Sequence, residues 1–306
     1  MPPRPRQPTA VPSGRWGCLR AEVQGPLVAA LKALRGVEVV QVDVRDGHLR
    51  EGRVLVGEVD LSALDAYLWY AEVDRSPGSF EQVLLRELAR TVRVHPDPWR
   101  WATAVDKLTA HCRLKAAGLP VPDFVAVHPD RIAPAMEALE AWGAGVLKPR
   151  LGAWGQGVLV LDHPGTLRDV VGFLQQAGWD PGGLLLERFL ENDPQGWTSV
   201  TAVGGEPVVA YRKRAARWVD VGAGRRKVYD AEQSGGEVDP VPLDAVRSDL
   251  VRRAAEVLGC PIIGFDLLAT EQGAVIVDEN TSPGNDAALY RAAGLDPVEV
   301  FLQMWV

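Results

Sequence analysis

Short apolar runs alternate along the chain with segments whose apolar residues recur three and four apart. The first pattern belongs to buried strands and the second to one face of a helix. Val37 to Val44 and Arg53 to Val56 read as strands, and Pro26 to Leu34 as a helix. Ser79 is placed to cap a helix through Arg90, with Glu81 and Gln82 in its first turn and Val83, Leu84 and Leu88 on one face. Val92 to Val94 predicts the next strand, and His95-Pro96-Asp97-Pro98 breaks any element and marks a boundary. Beyond it the spacing predicts a helix over Thr103 to Ala117, stopped by Gly118-Leu119-Pro120, and a strand over Val121 to Val127. A helix over Pro134 to Trp142, strands over Ala144 to Pro149 and Gly157 to Leu161, a helix over Leu167 to Gln176 and a strand over Leu184 to Leu190 follow. The last third reads as strands over Ser199 to Val203 and Pro207 to Lys213, then a glycine- and charge-rich loop through Gly236. A helix over Leu243 to Leu258 and strands over Ile262 to Ala269 and Ala274 to Asp278 close it. Alternating strands and helices define an α/β chain in three units.

Composition narrows the class. Of 306 residues, 47% are hydrophobic and 24% charged, which gives ample apolar material for folded cores. The formal charge of −7 removes any global attraction for phosphate backbones or anionic lipid, so neither nucleic acid nor membrane is expected as a partner. Cys18, Cys112 and Cys260 lie far apart, without CxxC or Cys/His spacing, which argues against a disulfide framework or zinc and predicts a cytoplasmic protein. Residues 1–15, with five prolines and three arginines and no apolar centre, read as a disordered basic leader. The ten tryptophans, Trp154 aside, read as core and interdomain packing.

Candidate chemistry concentrates in two segments. In IIGFDLLATEQGAVIVDENTSPGN, Glu271-Gln272-Gly273 reads as a three-residue hairpin loop with Gly where φ is positive. That loop pairs Thr270 with Ala274 and, counting outward, Asp266 with Asp278; alternation then sets Asn280 on the face of Asp278, opposite Gly264. Two carboxylates and an amide oxygen suit Mg²⁺, which takes one or two carboxylates and completes its shell with substrate phosphates. An acid inside an apolar strand needs such a neutralising partner. The second segment, VLKPRLGAWGQGVLVL, ends a strand on Lys148, facing an empty cleft, and follows it with Gly152, Gly155 and Gly157. Glycines admit phosphate oxygens to backbone N–H groups and a lysine neutralises them, although the order is not that of a Walker loop.

Together these segments resemble the ATP-grasp superfamily, most closely the RimK-type glutamate ligases and prokaryotic glutathione synthetases. The resemblance runs from about Trp101 to Leu295. It rests on Asp106-Lys107 before AAGLPVP, on Lys148 with its glycine loop, on LLLERFL, on AYRKR, and on GFDLL with DENTSPG. It implies an amino-terminal α/β domain at 16–98, a central lid at 99–190 and a carboxy-terminal catalytic domain at 191–306, with ATP between the last two. It further implies an ADP-forming ligase that joins a small-molecule or peptide carboxylate to an amine through an acyl-phosphate. The cofactors would be ATP and one or two Mg²⁺ ions, with Mn²⁺ as an alternative. By resemblance, Lys107 and Lys148 hold the α- and β-phosphates beside Gly152, Gly155 and Gly157. Glu187 with backbone groups of Arg188, Phe189 and Leu190 reads adenine. Asp266, Asp278 and Asn280 hold the metal, Lys213 and Arg214 face the transferred phosphoryl group, and Ser282, Gly284, Asn285 and Arg226 face the substrate, Ser282 to Asn285 opening a helix.

The chain departs from the family in four places. Asp278 stands where the family carries Glu, with Glu279 beside it as the alternative ligand. Trp197-Thr198-Ser199 replaces an Asp-x-Arg, which leaves both the ribose contact and the family's substrate open. The loop Arg217 to Gly236, with Arg225-Arg226-Lys227, is long enough to close over a substrate, and Trp154 sits at the tip of the phosphate loop. Rival readings are an enzyme that stops at phosphoryl transfer, a nucleotide-binding module without turnover, and a ligase acting on a peptide or carrier protein. A homo-oligomer is left open.

Overall fold

Ser79 caps its helix as expected, the hydroxyl accepting from the Gln82 N–H at 3.3 Å, and the helix presents Leu84, Leu85 and Leu88 to a buried core. The computed structural model describes residues 13–18, 21–70, 74–76, 78–152, 155–178, 182–191, 196–214, 218–220, 226–228, 237–283 and 287–304. Among these, the first unit runs β1 (Gly14–Cys18), α1 (Ala21–Ala33), β2 (Val37–Gln41), the meander β3 (His48–Arg50), β4 (Arg53–Val56) and β5 (Val59–Asp60), then β6 (Ala66–Leu68), α2 (Phe80–Leu88) and β7 (Arg93–His95). Its parallel sheet has the order β2-β1-β6-β7. Gly14 and Arg15 pair with Val37 and Glu38 in that sheet, so the expected leader does not extend to them; residues 1–12 lie outside the described residues.

The single helix expected over Thr103 to Ala117 is two, α3 (Pro98–Val105) and α4 (Lys107–Ala116). Asp106 separates them in an extended conformation and caps α4, accepting from the Leu108 N–H at 3.2 Å and from the Thr109 hydroxyl at 2.9 Å. The second sheet follows with β8 (Phe124–Val127), α5 (Ala133–Trp142), β9 (Gly145–Pro149), β10 (Leu159–Leu161), α6 (Pro164–Gln176) and β11 (Leu184–Arg188), in the antiparallel order β10-β9-β11-β8. Leu147, Leu161, Leu184 and Leu186 bury one face of it against Leu139, Leu167 and Val171 of its helices.

The third sheet comprises β12 (Thr198–Val203), β13 (Glu206–Arg214), β16 (Glu237–Val241), β17 (Ile262–Thr270) and β18 (Gly273–Asn280), in the order β16-β13-β12-β17-β18. The segment expected as a loop over Arg217 to Gly236 contains a small hairpin of β14 (Trp218–Asp220) and β15 (Arg226–Val228). One face of the third sheet packs on α7 (Ala245–Leu258) and also on α4, since Ala110 and Leu114 share a core with Val200, Phe265 and Ile276. α4, which lies in the segment expected as the central lid, thus shares a core with the third sheet. On the other face, Val203, Val209 and Ile262 join Trp16, Leu27 and Leu31 of the first unit, together with α8 (Ala287–Ala292) and α9 (Pro297–Leu302). No helix among the described residues is long and apolar enough to cross a membrane.

Candidate functional site

The β17–β18 hairpin carries the acidic residues. Asp266 lies opposite Asp278 and Gly264 opposite Asn280, as the spacing predicts, but by a different route. Thr270 pairs with Gly273, not Ala274, across a two-residue turn, and Gly273 takes φ +117°. That pairing alone would set Asp266 against Val277. A bulge between Leu267 and Asp266 leaves Val277 as the extra residue and restores the match. The Val277 carbonyl accepts from the Lys148 ammonium at 2.7 Å. Gly264 sits in a tight place: a Cβ there would stand 3.1 Å from Cβ of Pro283, which would have to give by a few tenths of an ångström, and 3.6 Å from that of Asn280.

Direct cross-strand partners share a face, so Asp278, Asp266, Ser199 and Tyr211 form one line across β18, β17, β12 and β13. The Ser199 hydroxyl donates to Asp266, and Asp278 is bonded by the Lys107 ammonium. The Asn280 amide oxygen accepts from the Ser282 N–H at 3.0 Å. Alternation turns Glu279 to the other face, where its carboxylate lies 3.7 Å from Nδ1 of His111. Glu279, opposite Phe265, is thereby off the line of Asp266 and Asp278. No group of three or more His, Cys, Asp or Glu gathers at ligand spacing among the described residues; the trio here is two acids and an amide. Its hard oxygen donors fit a divalent cation, and Lys107 balances the Asp278 charge in this structure.

Above this row stand the lysines. Lys107 opens α4, its backbone N–H held by the Arg150 carbonyl at 3.0 Å while the Arg150 guanidinium forks onto Asp106. Lys148 on β9 reaches Glu187 of β11 at 2.7 Å as well as the Val277 carbonyl, and is buried rather than facing an empty cleft. Gly155 and Gly157 take φ +66° and +71°, and the Gly152 carbonyl accepts from Arg75 at 2.8 Å. Glu187, 2% exposed, also lies 3.2 Å from Nε2 of His111. The sequence reading missed His111, though it stands one helical turn after Lys107 and so on the same face. Ser199, at the position of the missing arginine, was likewise unassigned.

The electrostatics follow from this crowding. Burial alone would raise the Glu187 carboxyl, but Lys148 and His111 hold it below the usual range. Burial opposes the His111 and Lys107 cations, yet Glu187 raises the first and Asp278 with Glu279 the second. Asp278, half-exposed, is lowered by Lys107 and Lys148. Glu279, where burial outweighs Lys107 and His111, is pushed up to about 7.

The Arg188 N–H donates to the Asp123 carbonyl at 2.7 Å and the Phe189 N–H to that of Ala144 at 3.1 Å, so these two amides are committed to the fold and not open to a nucleobase; Leu190 follows them, half-buried. Glu187 is the partner of Lys148 and His111. Lys213 and Arg214 end β13, opposite Val238 and Glu237, and Arg226 opens β15 opposite Asp220. Ser282 and Pro283 precede α8 (Ala287–Ala292), and the residues between them and that helix lie outside the described ones. Trp154, Gly284 and Asn285 lie outside the described residues, as does Arg225.

A four-stranded antiparallel sheet, a five-stranded sheet with a paired-acid hairpin, and lysines converging from separate elements define an ATP-grasp protein. Residues 104–296 match the RimK-like ATP-grasp domain, and the chain belongs to that family. It is an ATP-dependent ligase of the class that joins a carboxylate to an amine. It is similar to the tetrahydromethanopterin:alpha-L-glutamate ligase of Methanosarcina acetivorans, 29% identical over 283 residues that cover 81% of each chain. The fold is shared with a RimK domain ATP-grasp protein of Sphaerobacter thermophilus at TM-score 0.68 and 18% identity, over 95% of this chain and 99% of that one. It is also shared with the D-alanine–D-alanine ligase of Bacillus anthracis in complex with ATP, at TM-score 0.65 and 17% identity, over 96% of each. The family binds ATP and a divalent metal.

Proposed function

We propose that Mg-ATP occupies the cleft between β9–β11 and β17–β18, and that this chain activates a carboxylate there as an acyl-phosphate before an amine displaces the phosphate. The observation that carries the reading is the convergence of Lys107 and Lys148, from separate elements, on the strand that holds Asp278. In this reading both ammonium groups turn to the nucleotide phosphates. Asp266, Asp278 and Asn280 hold the divalent ion, which supplies charge neutralisation for those phosphates. Gly152, Gly155 and Gly157 bring backbone N–H groups to them, and Lys213 with Arg214 faces the phosphoryl group in transfer. A carboxylate oxygen attacks the γ-phosphorus and ADP leaves; the amine then attacks the acyl carbon, phosphate leaves, and the amine gives up a proton. The protein's share is alignment and charge neutralisation, with no covalent enzyme nucleophile. Ser282, Gly284, Asn285 and Arg226 bound the acid substrate. The similarity to a glutamate ligase supports an amino acid such as glutamate as the amine; the free thiols of Cys18, Cys112 and Cys260 fit the reducing cytoplasm as the site of action.

The test is ADP release from Mg-ATP across a panel of acids and amines, each omitted in turn, with glutamate among the amines. ADP formation that requires both partners supports the ligase. Acyl-phosphate release without amide identifies a kinase-like enzyme. Binding without ADP under every combination refutes the reading.

A further inference from the structure

A buried tie joins the lid sheet to the catalytic sheet, and one imidazole makes it. His111 is fully buried on α4, a helix that shares its core with the third sheet. Its ring meets the cross-strand pair Phe124–Glu187 of the lid: Nε2 lies 3.2 Å from the Glu187 carboxylate, and the ring stands edge-on to Phe124 at 5.8 Å and 86°. On its other side Nδ1 faces Glu279 of β18 at 3.7 Å. Glu187 in turn holds Lys148, which also donates to the Val277 carbonyl of the bulge. The chain of contacts thus runs from β18 through His111 and Glu187 to Lys148 and back to β18.

We propose that His111 is a positioning residue for nucleotide binding: by fixing Glu187 between α4 and β9 it sets where Lys148 stands over the phosphate site. The reason is steric as well as electrostatic. A long side chain such as Glu187 retains its rotamer freedom unless something on its far side limits it, and Lys148 is only as well placed as the carboxylate that holds it. An apolar residue at 111 would leave two carboxylates, each buried, against hydrocarbon, and Glu187 would turn away from that surface. His111 itself touches no phosphate in this arrangement; it acts through Lys148. The inference rests on the assignment of Lys148 to the nucleotide phosphates.

The experiment is a double-mutant cycle read by calorimetric titration with ADP and Mg²⁺. His111→Leu is expected to weaken ADP binding at least tenfold. Lys148→Met weakens it also, and adding His111→Leu to Lys148→Met then changes affinity less than twofold, because the histidine has lost the group it positions. His111→Gln, which keeps a polar N–H toward Glu187, should bind within about threefold of the parent. Wild-type affinity in His111→Leu, or losses that multiply in the double mutant, overturns the proposal while leaving Lys148 as a phosphate ligand. Wild-type affinity in Lys148→Met overturns the phosphate assignment beneath it. If His111→Leu lacks a cooperative melt, Glu187→Gln takes its place in the same cycle, with the same two outcomes.

Discussion

Lys148→Met should destabilise the protein even without nucleotide, which a lysine facing an open cleft would not do. Lys148 is 8% exposed, and its ammonium lies 2.7 Å from the carboxylate of Glu187, which is 2% exposed. Removing one member of a buried pair leaves the other charged and unpaired, which costs roughly 3–5 kcal/mol. His111 remains 3.2 Å away on the far side of Glu187 and offsets part of this, so the lower end, about 3 kcal/mol, is expected. With an unfolding entropy of about 2.1 cal/mol/K per residue over the chain, this is a fall of about 5 °C in Tm. The assay is thermal melting of parent, Lys148→Met and Lys148→Met/Glu187→Gln without ligand. The double variant replaces the stranded carboxylate with a neutral amide and should regain most of the loss. A single variant melting within 1 °C of the parent, or a double variant no better than the single, would refute the buried-pair argument.

Three further outcomes follow from the same geometry. Asp278→Asn removes a formal charge from the line of acids and should abolish ADP formation with the fold intact, whereas Glu279→Gln, on the opposite face, should do much less; the reverse ranking would move the ligand by one residue. Gly264→Ala places a methyl group 3.1 Å from Pro283 and should displace the turn that holds Asn280, lowering ADP formation at least tenfold; unchanged turnover would show that the turn adapts. Burial pushes His95 down to about 4, with Arg93 adding to the effect, so between about pH 6.5 and 4 the unfolded chain binds a proton that the folded one does not. His95's own share of the stability should therefore be full above pH 6.5 and be lost by up to about 3 kcal/mol as pH drops toward 4, while Glu279, held up to about 7, contributes the opposite slope. The difference in urea midpoint between the parent and His95→Gln across that range isolates it, and an imidazole NMR titration of His95 centred above pH 6 would contradict it.

Much of the site was legible because strand periodicity is short and local. The two-residue repeat is enough to set Asp278 with Asn280 on one face of β18 and Asp266 with Gly264 on one face of β17. The route to that register was not legible. A tighter turn at Thr270–Gly273 and a bulge at Val277 cancel each other, and both depend on how β18 packs rather than on which residues alternate. Helix existence was likewise readable, but the break at Asp106 was not. It depends on Arg150, 44 residues later, clamping the Asp106 carboxylate between α3 and α4.

What the sequence by itself determined is the set of elements and the residue types at their ends: a strand lysine before glycines, and acids spaced twelve apart in apolar strands. These are local signals, since propensity and alternation act over a few residues. Only the tertiary structure decided which charges meet. Lys107 lies on Asp278 across 171 positions and Lys148 on the Val277 carbonyl across 129, and His111 reaches carboxylates on two different sheets. No local pattern reports such pairings, because the partners are chosen by the low-dielectric space that three packed layers leave between them. There an unmatched charge costs several kcal/mol, and only a nearby opposite charge removes that cost.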